Sequence, residues 1–222
     1  MFDKGDLFKI RSAMVGCACL SALIMCFSWG CSDGSGKRQG RFMDSAVEGL
    51  TYETESMSGE TDSQGRFFFK PGETMTFSIG GIKLGTTTAR SVITPLALVI
   101  GAEDEKNPTV INITRFLITL DEDNNPDNGI TISPETRAAL ADVSINFTQD
   151  PAGFAGDADV QNVISIINTL HGSSDAENRV LCTEDEAMSH LGNTLEELAS
   201  QGNPQTGELG RGGGAGSGGG CG

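Results

Sequence analysis

The chain of 222 residues carries 30 acidic against 15 basic residues, which gives a formal net charge of −15. Such a surplus disfavours nucleic acids and anionic lipid headgroups as partners, because both repel an acidic surface, and it favours solubility and divalent cations. With one Trp and one Tyr, the composition also disfavours large aromatic platforms that bind sugars. The length suits one sizeable domain or two small ones.

The N-terminus has the order of a secretory signal peptide, which we predict over residues 1–30. Residues 1–11 hold a small positive excess, residues 12–29 form an apolar run, and Gly30 stands just before Cys31. The string FSWGC resembles the lipobox of bacterial lipoproteins, with Ser28 and Trp29 where that pattern has an aliphatic and a small residue. This resemblance implies that Cys31 is diacylated, becomes the new N-terminus and carries a membrane anchor.

The alternative for the same segment is an uncleaved transmembrane helix, because an apolar run of 18 residues is close to the shortest that spans a bilayer. Ser, Gly and the thiols Cys17, Cys19 and Cys26 dilute the run, which favours the signal peptide. Cleavage would leave Cys182 and Cys221 as thiols. They are able to pair in an oxidising compartment, but a bridge to a Gly-rich tail restrains little, so we expect Cys182 to be buried or a lone thiol.

Residues 31–41 comprise the lipidated cysteine and a polar Ser/Gly-rich segment that is typical of a flexible linker. A β-rich block follows over residues 42–98. Within it, Thr74–Ile79 alternates polar and apolar residues, which places Met75, Phe77 and Ile79 on one buried face of a strand. Turn signals flank the run RFFF at residues 66–69. We predict an antiparallel meander of four to six strands.

The β-rich block also resembles the carboxypeptidase-regulatory or transthyretin-like module. That family's pattern is V-x-G, then T-D-x-x-G-x-F-x-F, then a Pro/Gly turn and an alternating strand. The resemblance covers about a quarter of the chain and implies a small antiparallel β-sandwich that serves as a non-catalytic accessory module of exported proteins. The matching positions are Val47, Gly49, Thr61, Asp62, Gly65, Phe67 and Phe69.

The second half of the chain, residues 99–201, changes to helical periodicity, so the predicted fold class is α+β. Apolar spacing and capping signals predict four amphipathic helices, over residues 109–120, 134–143, 159–170 and 184–198. Thr183 and Glu186 form a capping-box pattern for the last of them. Residues 202–222 are mostly Gly at their end and are predicted to be a disordered tail.

An acidic loop between the first two helices is the strongest candidate for a metal site. Oxygen-bearing side chains recur at alternate positions, which allows a tight loop to turn them toward one hard cation, here a structural calcium ion. The loop resembles the first half of an EF-hand but has Pro126 where Gly is expected and Ile132 where a bidentate Glu is expected. The alternative is a metal-free turn in which Asp and Asn cap backbone groups. The candidate ligands are Asp121, Asp123, Asn125 and Asp127.

Catalytic patterns are scarce, and we predict no catalytic residues and no enzyme activity. His171 and His190 are the only histidines, and each is expected to be a surface or capping residue. A pair of His190 with Cys182 would imitate a Cys/His nucleophile, but no loop of oxyanion donors is evident beside it.

These observations predict an exported, lipid-anchored protein of the bacterial cell envelope, held at the outer membrane, with a binding or structural role. Its partners would be the membrane, through the anchor, and an envelope protein or glycan that the sequence does not specify; nucleic acid is not expected. Two alternatives stay open. One is an envelope enzyme that uses a metal in the acidic loop, and the other is a subunit of a secretion or adhesion assembly that uses the Gly-rich tail.

Overall fold

The computed structural model describes residues 36–171 and 178–203. Strands come first and helices later, which confirms the α+β class. The signal peptide, Cys31 and residues 204–222 of the tail lie outside the described residues. The strands are β1 Arg38–Phe42, β2 Val47–Glu48, β3 Thr51–Thr54, β4 Ser58–Glu60, β5 Arg66–Phe69, β6 Thr74–Ile79, β7 Ile82–Thr88, β8 Val92–Ile93 and β9 Ile130–Thr131. The α-helices are α1 Pro108–Leu120, α2 Pro134–Ala139, α3 Pro151–Gly156, α4 Ala158–His171 and α5 Glu184–Ser200.

Two larger sheets and one small sheet make up the β part of the described chain. A four-stranded antiparallel sheet has the order β4-β3-β6-β7, and a three-stranded sheet has the order β5-β1-β8. The two larger sheets face each other across aromatic side chains: the ring of Phe77 lies 4.9 Å from that of Phe42 and 5.4 Å from that of Phe67, both edge-on. Their packing forms a loose sandwich around a phenylalanine core.

The alternation over Thr74–Ile79 is confirmed, because Met75, Phe77 and Ile79 are all completely buried. In β5 the same period buries Phe67 and Phe69 and leaves Phe68 partly exposed. Period-two alternation was therefore a sound guide to which side chains enter the core.

The prediction of a linker up to residue 41 is wrong from Arg38 onward, because these residues form β1 at the centre of the three-stranded sheet. Gly40 explains the error. A Cβ at this position would lie 2.5 Å from the ring of Phe67 and 2.7 Å from the carbonyl oxygen of Arg90. The glycine that suggests flexibility in the sequence is required here by the close approach of the ring to the strand.

The predicted antiparallel pairing is confirmed for the four-stranded sheet and for β1 with β5, but two further pairs of strands are parallel. β1 pairs with β8, and β2 pairs with β9 from the second half of the chain. Both β2 and β9 are two residues long, too short to show a hydrophobic period.

Helix α1 is the central helix of the described structure, and its side chains from Val110 to Leu120 are all buried. The sequence predicted a single apolar stripe on this helix. The burial is wider because α1 is packed by α3, α5, β9 and the short 3-10 helix Pro95–Leu98. One continuous core joins the residues of both sheets to those of α1, α3 and α4.

The helix starts were predicted well. Asn107 caps α1, Ser133 caps α2, and Thr183 with Glu186 forms the expected capping box of α5. Helix α2 ends at Ala139, earlier than predicted. Helix α3 was missed, because its two glycines favoured a loop, although Asp150 at the cap and Pro151 at the first turn are typical of a helix start.

Candidate functional site

The acidic loop connects the end of α1 to β9, and its first carboxylate is the one that closes it. Asp121 is 1 % exposed. Its Oδ1 accepts a hydrogen bond from the backbone N–H of Thr131, and its Oδ2 accepts one from the N–H of Asn125, each at 2.8 Å. Asp121 therefore ties both ends of the loop together through the backbone.

The next carboxylate shapes the exposed side of the same loop. Asp123 accepts from the backbone N–H of Asn125 at 3.0 Å and from the side-chain amide of Asn128 at 2.8 Å. The structure thus brings Asp121 and Asp123 to the same backbone amide, while Asn125 and Asp127 are exposed. Each carboxylate caps nearby backbone, as in an Asx turn.

The pKa values of the two carboxyl groups are shifted in opposite directions. Burial, helped by the neighbouring Asp123, raises the pKa of Asp121 to about 6. The hydrogen bond from Asn128 is the first cause that lowers the pKa of Asp123 below its usual value. Asp121 is therefore the member of the loop whose charge is costly, since burial disfavours the ionised form.

A positive charge that the sequence reasoning missed lies against this loop. The guanidinium of Arg179 donates to the backbone carbonyl oxygens of Asp121 and Glu122. The backbone of Arg179 is held by Asn168 of α4. The side-chain amide of Asn168 donates to the carbonyl oxygen of Arg179 and accepts from the N–H of Arg179. No local pattern links Arg179 to a loop 58 residues earlier, so only the packing of the segment before α5 reveals it.

Calcium in this loop stays a prediction. Over residues 36–171 and 178–203, no group of three or more His, Cys, Asp or Glu side chains is placed to hold a metal ion. Repulsion between the loop's carboxylates was the argument for a cation, and Arg179 supplies part of the neutralising charge from within the chain.

A second cluster lies at the turn between β1 and β2, where the sequence indicated nothing. An isolated bridge between Met43 and Ala46 closes the turn, and Ser45 within it has φ +56°. Glycine or asparagine is usual in this left-handed region, so a serine there is strained.

Asp44 of the same turn is completely buried, and neither of its carboxylate oxygens has a hydrogen-bond partner. His190 of α5 lies beside this turn, with its Nε2 3.7 Å from Asp44 Oδ1 and 3.4 Å from Ser45 Oγ. Burial raises the pKa of Asp44 well above its usual value. The structure therefore places the partly buried His190 against a buried carboxylate, a contact that the sequence did not predict.

These three residues do not form a Ser-His-Asp triad. In a triad the carboxylate and the hydroxyl contact different nitrogens of the imidazole, so that one fixes the tautomer while the other receives the proton. Here Asp44 and Ser45 both approach Nε2. The cluster consequently has the composition of a nucleophilic site without its geometry.

The remaining candidates have structural contacts. Cys182 is a free, partly buried thiol, as expected, and burial raises its pKa to about 12, which keeps it out of the reactive thiolate form. His171 lies at the end of α4, 2.8 Å from the hydroxyl of Thr136. An open depression beside Cys182 mixes one guanidinium with carboxylates, so its chemistry selects no ligand class; its lining is Arg115, Leu181, Thr183, Glu184 and Asp185.

No family model, no curated protein and no solved structure matches this chain. Among the described residues, none of the helices combines the length and the apolar character that crossing a membrane requires. The chemistry of the chain's own residues is therefore the support for a function.

Proposed function

We propose that this protein is an exported cell-envelope protein, anchored to a bacterial outer membrane through lipid on Cys31, with a binding or structural role. The observation that carries the proposal is the N-terminal order of residues: a mixed basic head, the apolar run over residues 12–29, and Gly30 directly before Cys31. Several acyl chains on one cysteine anchor a protein stably, whereas a single chain binds only marginally.

If Cys31 carries the anchor, the length of chain between it and β1 limits how far the folded part stands from the membrane. Strand β1 begins at Arg38, so a fully extended chain from Cys31 reaches at most about 25 Å. The sheet that contains β1 would lie close to the membrane surface. Because the whole chain has a net charge of −15, anionic headgroups would repel the protein. The anchor, not the surface of the fold, would then supply the attachment.

A binding or structural role is supported by what the candidate side chains do. Asp121 and Asp123 accept hydrogen bonds from backbone and side-chain amides of their own loop, and Cys182 has a raised pKa. The resemblance of residues 45–85 to an accessory module of exported proteins supports the same role.

The test is the intact mass of the protein extracted from bacterial membranes, together with the variant Cys31→Ser. We expect a mass that begins at Cys31 with added acyl groups, and we expect C31S to leave the membrane fraction. Cys26→Ser is the matched control, because it replaces a thiol inside the predicted signal peptide and should be processed and retained like the wild type.

Two results would overturn the proposal. A mass that starts at Met1 would mean an uncleaved membrane helix, and retention of C31S in membranes would mean that another element holds the protein there.

A further inference from the structure

We propose that Asp44, Ser45 and His190 form a proton-controlled latch that fastens helix α5 to the turn between β1 and β2. The turn and the helix are 145 residues apart in sequence at the Ser45–His190 contact. A second contact joins the same elements, since the backbone N–H of Ser45 points to the hydroxyl of Thr194 at 3.4 Å, one helical turn beyond His190. The latch is independent of the proposed membrane anchor.

The latch has its physical basis in the burial of Asp44. A completely buried carboxylate with no hydrogen-bond partner is stable only if it is neutral or faces a positive charge. His190 at 3.7 Å offers both solutions, because one proton on the pair gives either a neutral acid beside a neutral imidazole or a close ion pair. Both arrangements have zero net charge.

The latch opens at higher pH. When the pair loses its one proton, the ionised Asp44 is buried without a partner, and the docked position of α5 loses its advantage. After α5 undocks, water solvates both groups and the proton is held less tightly. Since the docked state binds the proton more strongly, the contribution to docking is present at lower pH and is lost as the pH rises through the titration of the docked pair.

The other titratable groups around the pair do not compete for this proton near neutral pH. Cys182, in the segment before α5, is close enough that Asp44 contributes to raising its pKa, which at about 12 leaves the thiol uncharged. Glu186, on α5 one turn before His190, is bonded to Thr183 and has a lowered pKa. Arg115 of α1 donates to the Cys182 carbonyl and is always charged in this range.

Strain in the turn agrees with a latch. Ser45 has its positive φ in the turn that carries Asp44, and residues held in such conformations persist only where neighbouring contacts hold them. The contacts to His190 and Thr194 are of this kind. Release of α5 would therefore also relax the turn.

Hydrogen exchange of the purified protein at pH 6 and pH 8 tests this inference, with protection factors corrected for the intrinsic exchange rate. We expect the amides of residues 191–198 in α5 to lose about tenfold in protection between the two values, because the docked state holds the proton more tightly than the undocked state. Amides of residues 163–167 in α4 serve as the internal reference and should keep their protection.

Variants distinguish the latch from a merely structural contact. In Asp44→Asn the pH dependence of α5 protection should disappear, because the titrating carboxyl is gone. In His190→Gln the loss of protection should move to lower pH, because Asp44 then holds the proton alone. Glu196→Gln removes an exposed carboxylate of the same helix and should keep the wild-type profile.

The inference is overturned if D44N and wild type show the same pH dependence in α5, or if α4 loses protection together with α5 in the wild type. Should D44N fail to fold, H190Q decides alone: a profile unchanged from wild type would exclude a role for His190 in holding the proton.

Discussion

At the scale of a single residue, the side chain of Asp121 closes the acidic loop. Its two oxygens accept from amides on both sides of the loop, and the arginine beside it comes from a distant segment. The cost of burying its charge is visible in its pKa of about 6. Its burial and its hydrogen bonds act in opposite directions on that pKa, and burial is the larger effect.

We predict that Asp121→Ala lowers the free energy of unfolding by about 2 kcal/mol at pH 4.5, because two partly buried backbone N–H groups lose their acceptor. The native pKa of Asp121, about 6, lies above the usual 3.8, so the native state holds the proton more tightly than the unfolded state. The stability that Asp121 contributes to the wild type therefore declines as the pH rises from 3.8 through about 6. The difference between wild type and variant should therefore narrow toward pH 7.

Urea unfolding at several pH values, in a calcium chelator, measures this difference. Asp127→Ala is the control, since Asp127 is exposed in the same loop and its removal should change stability by less than about 0.5 kcal/mol. Equal effects of the two substitutions at pH 4.5 would contradict the structural role of Asp121.

At the scale of elements, the N-terminal strand and the central helix are where local pattern and tertiary structure differ most. The short basic and glycine-containing string before Phe42 forms β1, paired on both edges by β5 and β8. From Val110 to Leu120, helix α1 is buried on every side, including the polar residues Asn112 and Thr114. Strand β1 and helix α1 lie in the interior because other elements cover them, and no local sequence pattern predicts that covering.

We predict that Gly40→Ala destabilises the protein by about 1–3 kcal/mol, because the added methyl group overlaps the ring of Phe67 and the backbone of residue 90. The measurement is chemical unfolding followed by circular dichroism. Gly192→Ala is the matched control: this glycine lies inside α5 with open space around its Cβ position, so the same change should stabilise by about 0.5–1 kcal/mol. If G40A left the free energy of unfolding unchanged, the close contact at Gly40 would be contradicted, because the strand would have room for the methyl group.

At the scale of the whole molecule, the β part and the helices share one core. Side chains from β1, β5 and β6 belong to the same buried cluster as those of α1, α3 and α4. The pairing of the short strands β2 and β9 adds a direct backbone link between the two halves. Unfolding of either half would expose apolar surface of the other, so we expect the β part and helices α1, α3 and α4 to unfold cooperatively.

Calcium bound in the acidic loop would stabilise the entire fold, so the stability of the whole molecule reports on it. If the acidic loop binds calcium as its sequence predicts, replacing calcium with a chelator should lower the melting temperature, since a ligand that binds the native state stabilises it by mass action. Asp127→Ala should abolish that shift, and magnesium serves as the cation control. An unchanged melting temperature would leave the loop as a turn closed by Asp121 and neutralised by Arg179.

The amino-acid sequence by itself determined the α+β order, the buried face of β6, and the starts of α1, α2 and α5, because alternation, helical spacing and capping are properties of residues a few positions apart. Tertiary structure decided the rest. Three features join residues that are far apart in the chain. They are the parallel pairing of β1 with β8 and of β2 with β9, the contact of Arg179 with the acidic loop, and the contact of Asp44 with His190. Such contacts depend on how whole elements pack, and packing leaves no short-range signal in the sequence.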